Sequence, residues 1–310
     1  MPLQDSHKRA SAHDLLTRAA MAADGQPGEH AHAKRAATHT LSGDHRQRRA
    51  GSGERFWQFR EYETGDSPHT IDWRQSAKRE RLYVRQQEWQ TPQRSLFWVD
   101  DNAGMAFTSD PKTIPPKGDF ARIVALGLGM LLTRNGEHIG ALLPGVTAGH
   151  STSTLHRLAE HFTGQGTGSD GDAMMPELAD QKLPRHATPV LLSDCLQSAD
   201  ALGAQLDTLT ARMGAGLLVQ VLDPAELTLP YRGRIVFEGV ATQDVDTIHV
   251  PEAEEIAQSY CERIQAHCRA VEEGANARGW LYVRLSSDTD PAQALTAIRG
   301  TLENRQEVIG

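Results

Sequence analysis

Hydrophobic positions along the chain fall into three textures. Up to about residue 50 the sequence is polar, except where Leu15, Leu16, Ala19, Ala20 and Met21 gather on one face of a short helix. From Gly51 aromatic and β-branched residues arrive in short bursts, RFWQFREY, TIDW and RLYVRQQEW, each predicting a short strand or strand edge. After Pro92 the run SLFWVD is apolar without alternation. That is the pattern of a central parallel strand covered on both faces, and it puts Asp100 at the strand's C-terminal tip.

Beyond this strand the pattern switches repeatedly between strand and helix. It predicts a helix over about 117–134, a strand over 138–143, a helix over about 152–162, a strand at TPVLLSD (188–194), a helix over 198–213 and a strand at AGLLVQVLD (215–223). PAELTLP turns the chain, and GRIVFEGV is expected to add antiparallel to the sheet's edge. A long helix over about 252–277, a strand at WLYVRLSS and a helix over 291–302 complete the series. The Gly-rich and Asp-rich span GQGTGSDGDAMMPELADQKLP is expected to be a loop without fixed structure. Strand and helix in alternation predict an α/β fold: a doubly wound, mostly parallel sheet flanked by helices, with an N-terminal helix and a short-strand extension. The expected divisions are 1–50 (helix and polar linker), 51–92 (short strands) and 93–310 (the α/β domain).

Composition narrows the function. The chain has 310 residues, 39% of them hydrophobic, enough for one substantial domain with extensions or two small ones. A net charge of −8 argues against general nucleic-acid binding, which needs a concentrated basic face; arginines do crowd residues 45–85, where solvated or ion-paired side chains account for them. The longest apolar run, residues 121–132, falls short of the ~20 residues of a membrane span, so no membrane insertion is expected. The N-terminal MPLQDSHKRASAHDLL lacks a signal peptide's apolar core, and Cys195, Cys261 and Cys268 form no metal spacing and no even disulfide set. A reducing cytoplasm fits both observations. His30, His32, His39 and His45 are a weak metal signal in an Ala, Gly and Arg background.

Two groups of residues could carry chemistry. Asp100, Asp101, Asp194 and Asp223 stand at expected strand tips, where they would either offer oxygens to a hard cation such as Mg²⁺ or cap the following helices. In GDSPHTIDWRQSAK, His69 lies between Asp66 and Asp72, as an acid–base pair would, or as a loop whose carboxylates accept backbone and arginine hydrogen bonds. No nucleophile elbow, P-loop or dinucleotide fingerprint occurs; Gly127-Leu128-Gly129 falls inside a helix, where it permits close packing. Ala257, Cys261, Ile264, Cys268 and Val271 share a helix face, which makes both cysteines packing residues.

The segment running from Gly51 through GDSPHTIDWRQSAK to LYVRQQE resembles the signature of the domain-of-unknown-function fifty-eight family. These are bacterial proteins with a fold similar to the von Willebrand factor A domain. The likeness rests on Gly51, Gly53, Phe56, Arg60, Tyr62, Gly65, Asp66, Ile71, Asp72, Trp73, Arg74, Ser76, Ala77, Leu82, Val84, Arg85 and Glu88, and it continues through SLFWVDDNAGM and VLDPAELTLP. The resemblance implies an adaptor of MoxR-type AAA+ ATPases that assists in maturing or remodelling client proteins.

It also implies a metal site of the Asp-x-Ser-x-Ser kind, and here the chain departs from the pattern. Asp100 is present and Asp194 matches the later aspartate, but Asn102 and Gly104 replace the serines, while Thr147, Thr152 and Thr154 compete for the threonine. His69 and Lys78 stand where the family often has arginines, and neither makes an arginine's bidentate fork. The leading expectation is therefore a non-enzymatic, cofactor-free protein-binding module. Its interface would include Arg60, Tyr62, Gly65, Asp66, His69, Asp72, Trp73 and Arg74, with Trp57, Trp73 and Trp89 as candidate anchors. The alternatives are a Mg²⁺-dependent ligand-binding domain using Asp100, Asn102 and Asp194, and an uncharacterised hydrolase.

Overall fold

In a computed structural model the described residues are 10–25, 49–51, 55–62, 71, 73–76, 82–89, 93–164, 187–238 and 247–309. The chain divides into two compact units, 44–92 and the remainder. Near the N-terminus, helix α1 (Ala12–Asp24) starts at Ser11, whose hydroxyl accepts the Asp14 N–H. In unit 44–92, strands β1 (Arg49–Gly51), β2 (Arg55–Glu61) and β3 (Tyr83–Trp89) form an antiparallel sheet in the order β1-β3-β2. The register of β2 against β3 shifts between Phe56 and Gln58, and a single helical turn, α2 (Trp73–Ser76), precedes β3.

The larger unit is the expected α/β fold. Its strands β4 (Arg94–Val99), β5 (His138–Ala141), β6 (Ala187–Ser193), β7 (Leu217–Leu222) and β10 (Leu281–Ser286) are all parallel, in the order β10-β7-β6-β4-β5. Helices α3 (Lys117–Arg134), α4 (Thr152–Gly164), α5 (Ala199–Met213), α7 (Ala253–Ala277) and α8 (Pro291–Ile309) alternate with them. The residues of β4 explain the layering. Phe97 and Val99 join the core beneath α1, α3, α4 and α8, whereas Leu96 and Trp98 join that beneath α5 and α7. A strand with both faces covered has no solvent side, which is why SLFWV carries no polar alternation. Helix α1 contributes Leu15, Leu16, Ala19 and Ala22 to the first of these cores, so the N-terminal helix is an integral part of the α/β unit.

Close approaches in this unit need glycine. A Cβ on Gly127 would lie 2.9 Å from Leu295 Cδ1, and one on Gly216 would lie 2.0 Å from the Pro189 carbonyl oxygen. The Gly127-Leu128-Gly129 run therefore serves packing.

Two local expectations need correction. GRIVFEGV does not join the main sheet: β8 (Ile235–Glu238) pairs antiparallel with β9 (Thr247–Val250) in a separate two-stranded sheet. A partner strand close in sequence satisfies its ladder at a small loop-closure cost. PAELTLP is more than a turn, since Pro224–Thr228 forms the short helix α6, with Asp223 and Glu226 as a capping box. The histidine-rich stretch 30–45 and the glycine-rich stretch 165–185 lie outside the described residues. Among the described residues no helix is long and apolar enough to cross a membrane.

Candidate functional site

From β4 the chain moves to β5 on one side of the sheet, and from β6 to β7 on the other. In parallel sheets this reversal opens a crevice at the carboxyl ends of the two central strands. Asp100 follows β4 and Asp194 follows β6, so both flank the crevice, and both are buried.

Hydrogen bonds tie these acids together. Asp100 Oδ2 accepts from Ser193 Oγ at 2.7 Å and from Asn102 Nδ2 at 2.9 Å, and its Oδ1 accepts from the Asn102 backbone N–H at 3.0 Å. The same Asn102 amide reaches Asp194 Oδ1 at 3.4 Å. Burial lifts the Asp100 carboxyl to about 6, helped by the Asp194 charge and opposed by Ser193 and Asn102.

The other Asp194 oxygen belongs to a residue that the sequence pattern did not single out. Lys117, at the start of α3, is fully buried; its Nζ lies 3.0 Å from Asp194 Oδ2 and 2.6 Å from Glu226 Oε1. Desolvation works against the ammonium, but the two carboxylates outweigh it and hold the lysine above its ordinary value. Glu226 is itself pushed up, because its own burial outweighs the attraction of Lys117. Its second oxygen accepts the Asp223 N–H at 2.8 Å. Asp223 caps α6 through the Ala225 N–H at 2.8 Å and also accepts from the Ser109 N–H at 2.9 Å. The helix-capping role therefore holds for Asp223, whereas Asp100 and Asp194 serve the network.

The residues present do not fit the metal that the resemblance implies. Asn102 Oδ1 is occupied by the Met105 N–H at 3.1 Å, so the amide turns its NH₂ group, a donor, toward the acids. Gly104 has no side-chain oxygen, and Thr154 spends its hydroxyl on Ser151. Among the described residues no three histidine, cysteine or carboxylate side chains are grouped to hold a metal ion.

The hydroxyl and the thiol of this cluster are both fully buried. The Ser193 hydroxyl donates to Asp100 and accepts the Cys195 N–H at 3.0 Å. Cys195 is buried, burial holds its thiol well above the ordinary range, and His267 meets its carbonyl at 2.7 Å. A thiol so protonated is a poor nucleophile.

Of the signature residues, Trp73 opens α2 and is 65% exposed, Tyr62 is half-buried, and Arg60 lies in β2. Arg74 lies in α2. Gly65, Asp66, His69 and Asp72 fall outside the described residues.

Lys117 and Glu226 were hidden for different reasons. A lysine opening a helix as apolar as KGDFARIVALGLGMLL opposes the helix dipole, and that mismatch was the available signal. Glu226 stands three residues after Asp223, the spacing of a capping box that the turn reading of PAELTLP passed over, and its pairing with a lysine 109 positions away left no trace in local pattern.

Comparison with known proteins adds a family. The sequence model of the family described as "Protein of unknown function DUF58" matches residues 58–271. Among solved structures, the crystal structure of the conserved hypothetical protein BatB from Bacteroides thetaiotaomicron is similar over 69% of this chain and 99% of that one, with 12% identity and a TM-score of 0.35. Among curated proteins none matches.

Proposed function

This chain belongs to the family described as protein of unknown function DUF58, and from that membership we propose that it is a non-enzymatic protein-binding module. In this reading it is an adaptor of a MoxR-type AAA+ ATPase that acts on a client protein. The observation that carries the reading is Trp73, a tryptophan of the signature segment that is 65% exposed. Exposed tryptophan beside arginine is the composition of an interface hot spot, and a large apolar ring left in water gains free energy when a partner covers it. The strand-tip acids support the non-enzymatic half of the proposal. Asp100, Asp194, Asp223 and Glu226 all spend their oxygens on internal donors, and the one hydroxyl that meets Asp100, that of Ser193, is fully buried and also accepts the Cys195 N–H.

Binding of the full chain to the MoxR-type ATPase of the same genome, measured by biolayer interferometry, tests this. Trp73→Ala is expected to weaken binding by about tenfold or more and to leave the melting temperature unchanged, since the ring is exposed. Equal binding by the variant would remove Trp73 from the interface. Failure of the wild-type chain to bind would overturn the choice of partner.

A further inference from the structure

Where the resemblance implies a divalent cation, the chain supplies a cation of its own. Two carboxylate oxygens, Asp194 Oδ2 and Glu226 Oε1, converge on Lys117 Nζ at 3.0 and 2.6 Å. Asp194 follows β6, and Glu226 lies in α6, which follows the neighbouring strand β7. A buried ammonium in a helix's first turn faces an unfavourable dipole and loses its hydration, so it persists only where anions surround it. Gly104 belongs to the same arrangement. A Cβ there would stand 2.9 Å from Asn102 Oδ1 and 3.0 Å from Asp194 Oδ2, so the serine of the family pattern has no room beside these partners.

We propose that Lys117 is a tethered replacement for the divalent cation, neutralising Asp194 and Glu226 and closing this site to metal ions. The crevice then keeps its charge balance without exchange with solution, and its shape is independent of Mg²⁺ concentration. This goes beyond the adaptor reading and stands whether or not the ATPase binds.

The test removes the ammonium and offers a metal in its place. Methionine is one atom shorter than lysine. Lys117→Met therefore keeps most of the apolar stem, and rotation of its flexible thioether end turns the terminal methyl aside from the point where the two oxygens converge, 3.0 and 2.6 Å away, the shorter within the ~2.3–2.6 Å of calcium–oxygen contacts. Melting temperatures of the full-length wild type and variant are compared in EDTA and in about 10 mM Mg²⁺, Mn²⁺ or Ca²⁺, because an ion that binds only the native state must stabilise it. The wild type is expected to shift by less than about 1 °C, and Lys117→Met to gain about 5 °C with at least one ion.

If Lys117→Met does not fold in EDTA, metal added during refolding is expected to recover it. The double variant Lys117→Met, Glu226→Gln is then expected to fold without metal and to ignore it, having lost one of the converging charges. Stabilisation of the wild type by metal overturns the proposal. So does a folded Lys117→Met that ignores all three ions, or an unfolded one rescued by neither metal nor the second substitution.

Discussion

Ser95, near the start of β4, and Glu137, immediately before β5, meet where Ser95 Oγ donates to Glu137 Oε2 over a long 3.4 Å. Both side chains are buried, and Glu137 Oε1 has no hydrogen-bond partner among the described residues. The end of α3 imposes this placement. Gly136, at φ +81°, and Glu137 return their N–H groups to the Thr133 and Leu132 carbonyls, which closes the helix and turns the glutamate inward. One long hydrogen bond does not replace a carboxylate's hydration, so burial lifts this acid from 4.5 to about 7.

A pH dependence follows. The folded protein holds a proton on Glu137 that the unfolded chain has released, so the associated stability is fully present below 4.5 and is lost as the pH rises through about 7. A shift of this size corresponds to a loss on the order of 3 kcal/mol. Glu137→Gln, uncharged at every pH, is expected to flatten the slope of urea-unfolding free energy between pH 5 and pH 8 and to be the more stable protein at pH 8. An unchanged slope in the variant would contradict this account.

Close packing of the central strands gives a second prediction. Gly216 precedes β7 against Pro189 of β6, and a methyl group there would collide with the Pro189 carbonyl at 2.0 Å and its Cγ at 2.7 Å. Backbone cannot swing aside as a side-chain end does, so Gly216→Ala is expected to cost about 2–3 kcal/mol. Gly164, with open space around its Cβ position, is the control, and its alanine variant is expected to be neutral or stabilising by about 0.5 kcal/mol. Urea midpoints measure both, and equal effects at the two positions would refute the clash.

The fold was legible because its strongest signals are local. SLFWV, TPVLLS and LLVQVL are apolar on both faces, with α3, β5 and α4 between the first two and α5 between the last two, an alternation that leaves a parallel sheet as the natural arrangement. The β8 segment misled because its three apolar positions, Ile235, Val236 and Phe237, announce a strand without naming its partner. The candidate site was half legible. Asp100, Asn102 and Asp194 do come together, as the strand-tip argument required. Their cation was invisible, because Lys117 and Asp194 lie 77 positions apart and only the folded sheet brings them within an ion pair.

The cysteines also separate on inspection of their surroundings. Cys268 is buried with Ile264 and Leu222, and Cys195 is buried behind the β6 tip, whereas Cys261, about two helical turns toward the N-terminus of α7, is half-buried. Shared helix spacing made Cys261 and Cys268 look equivalent, yet burial at the two positions differs because the packed face of α7 narrows toward its N-terminal end, where Ile256 is half-buried and Ser259 exposed. Reactivity follows access and thiolate fraction, and burial holds the Cys195 thiol well above its ordinary value. Titration of the native protein with a disulfide reagent is expected to show one fast thiol, removed by Cys261→Ser, and two that react only when denaturant opens the core. A second fast thiol in native buffer would place Cys195 or Cys268 in a part of the unit that opens locally, and hydrogen exchange at α7 would then show which segment opens.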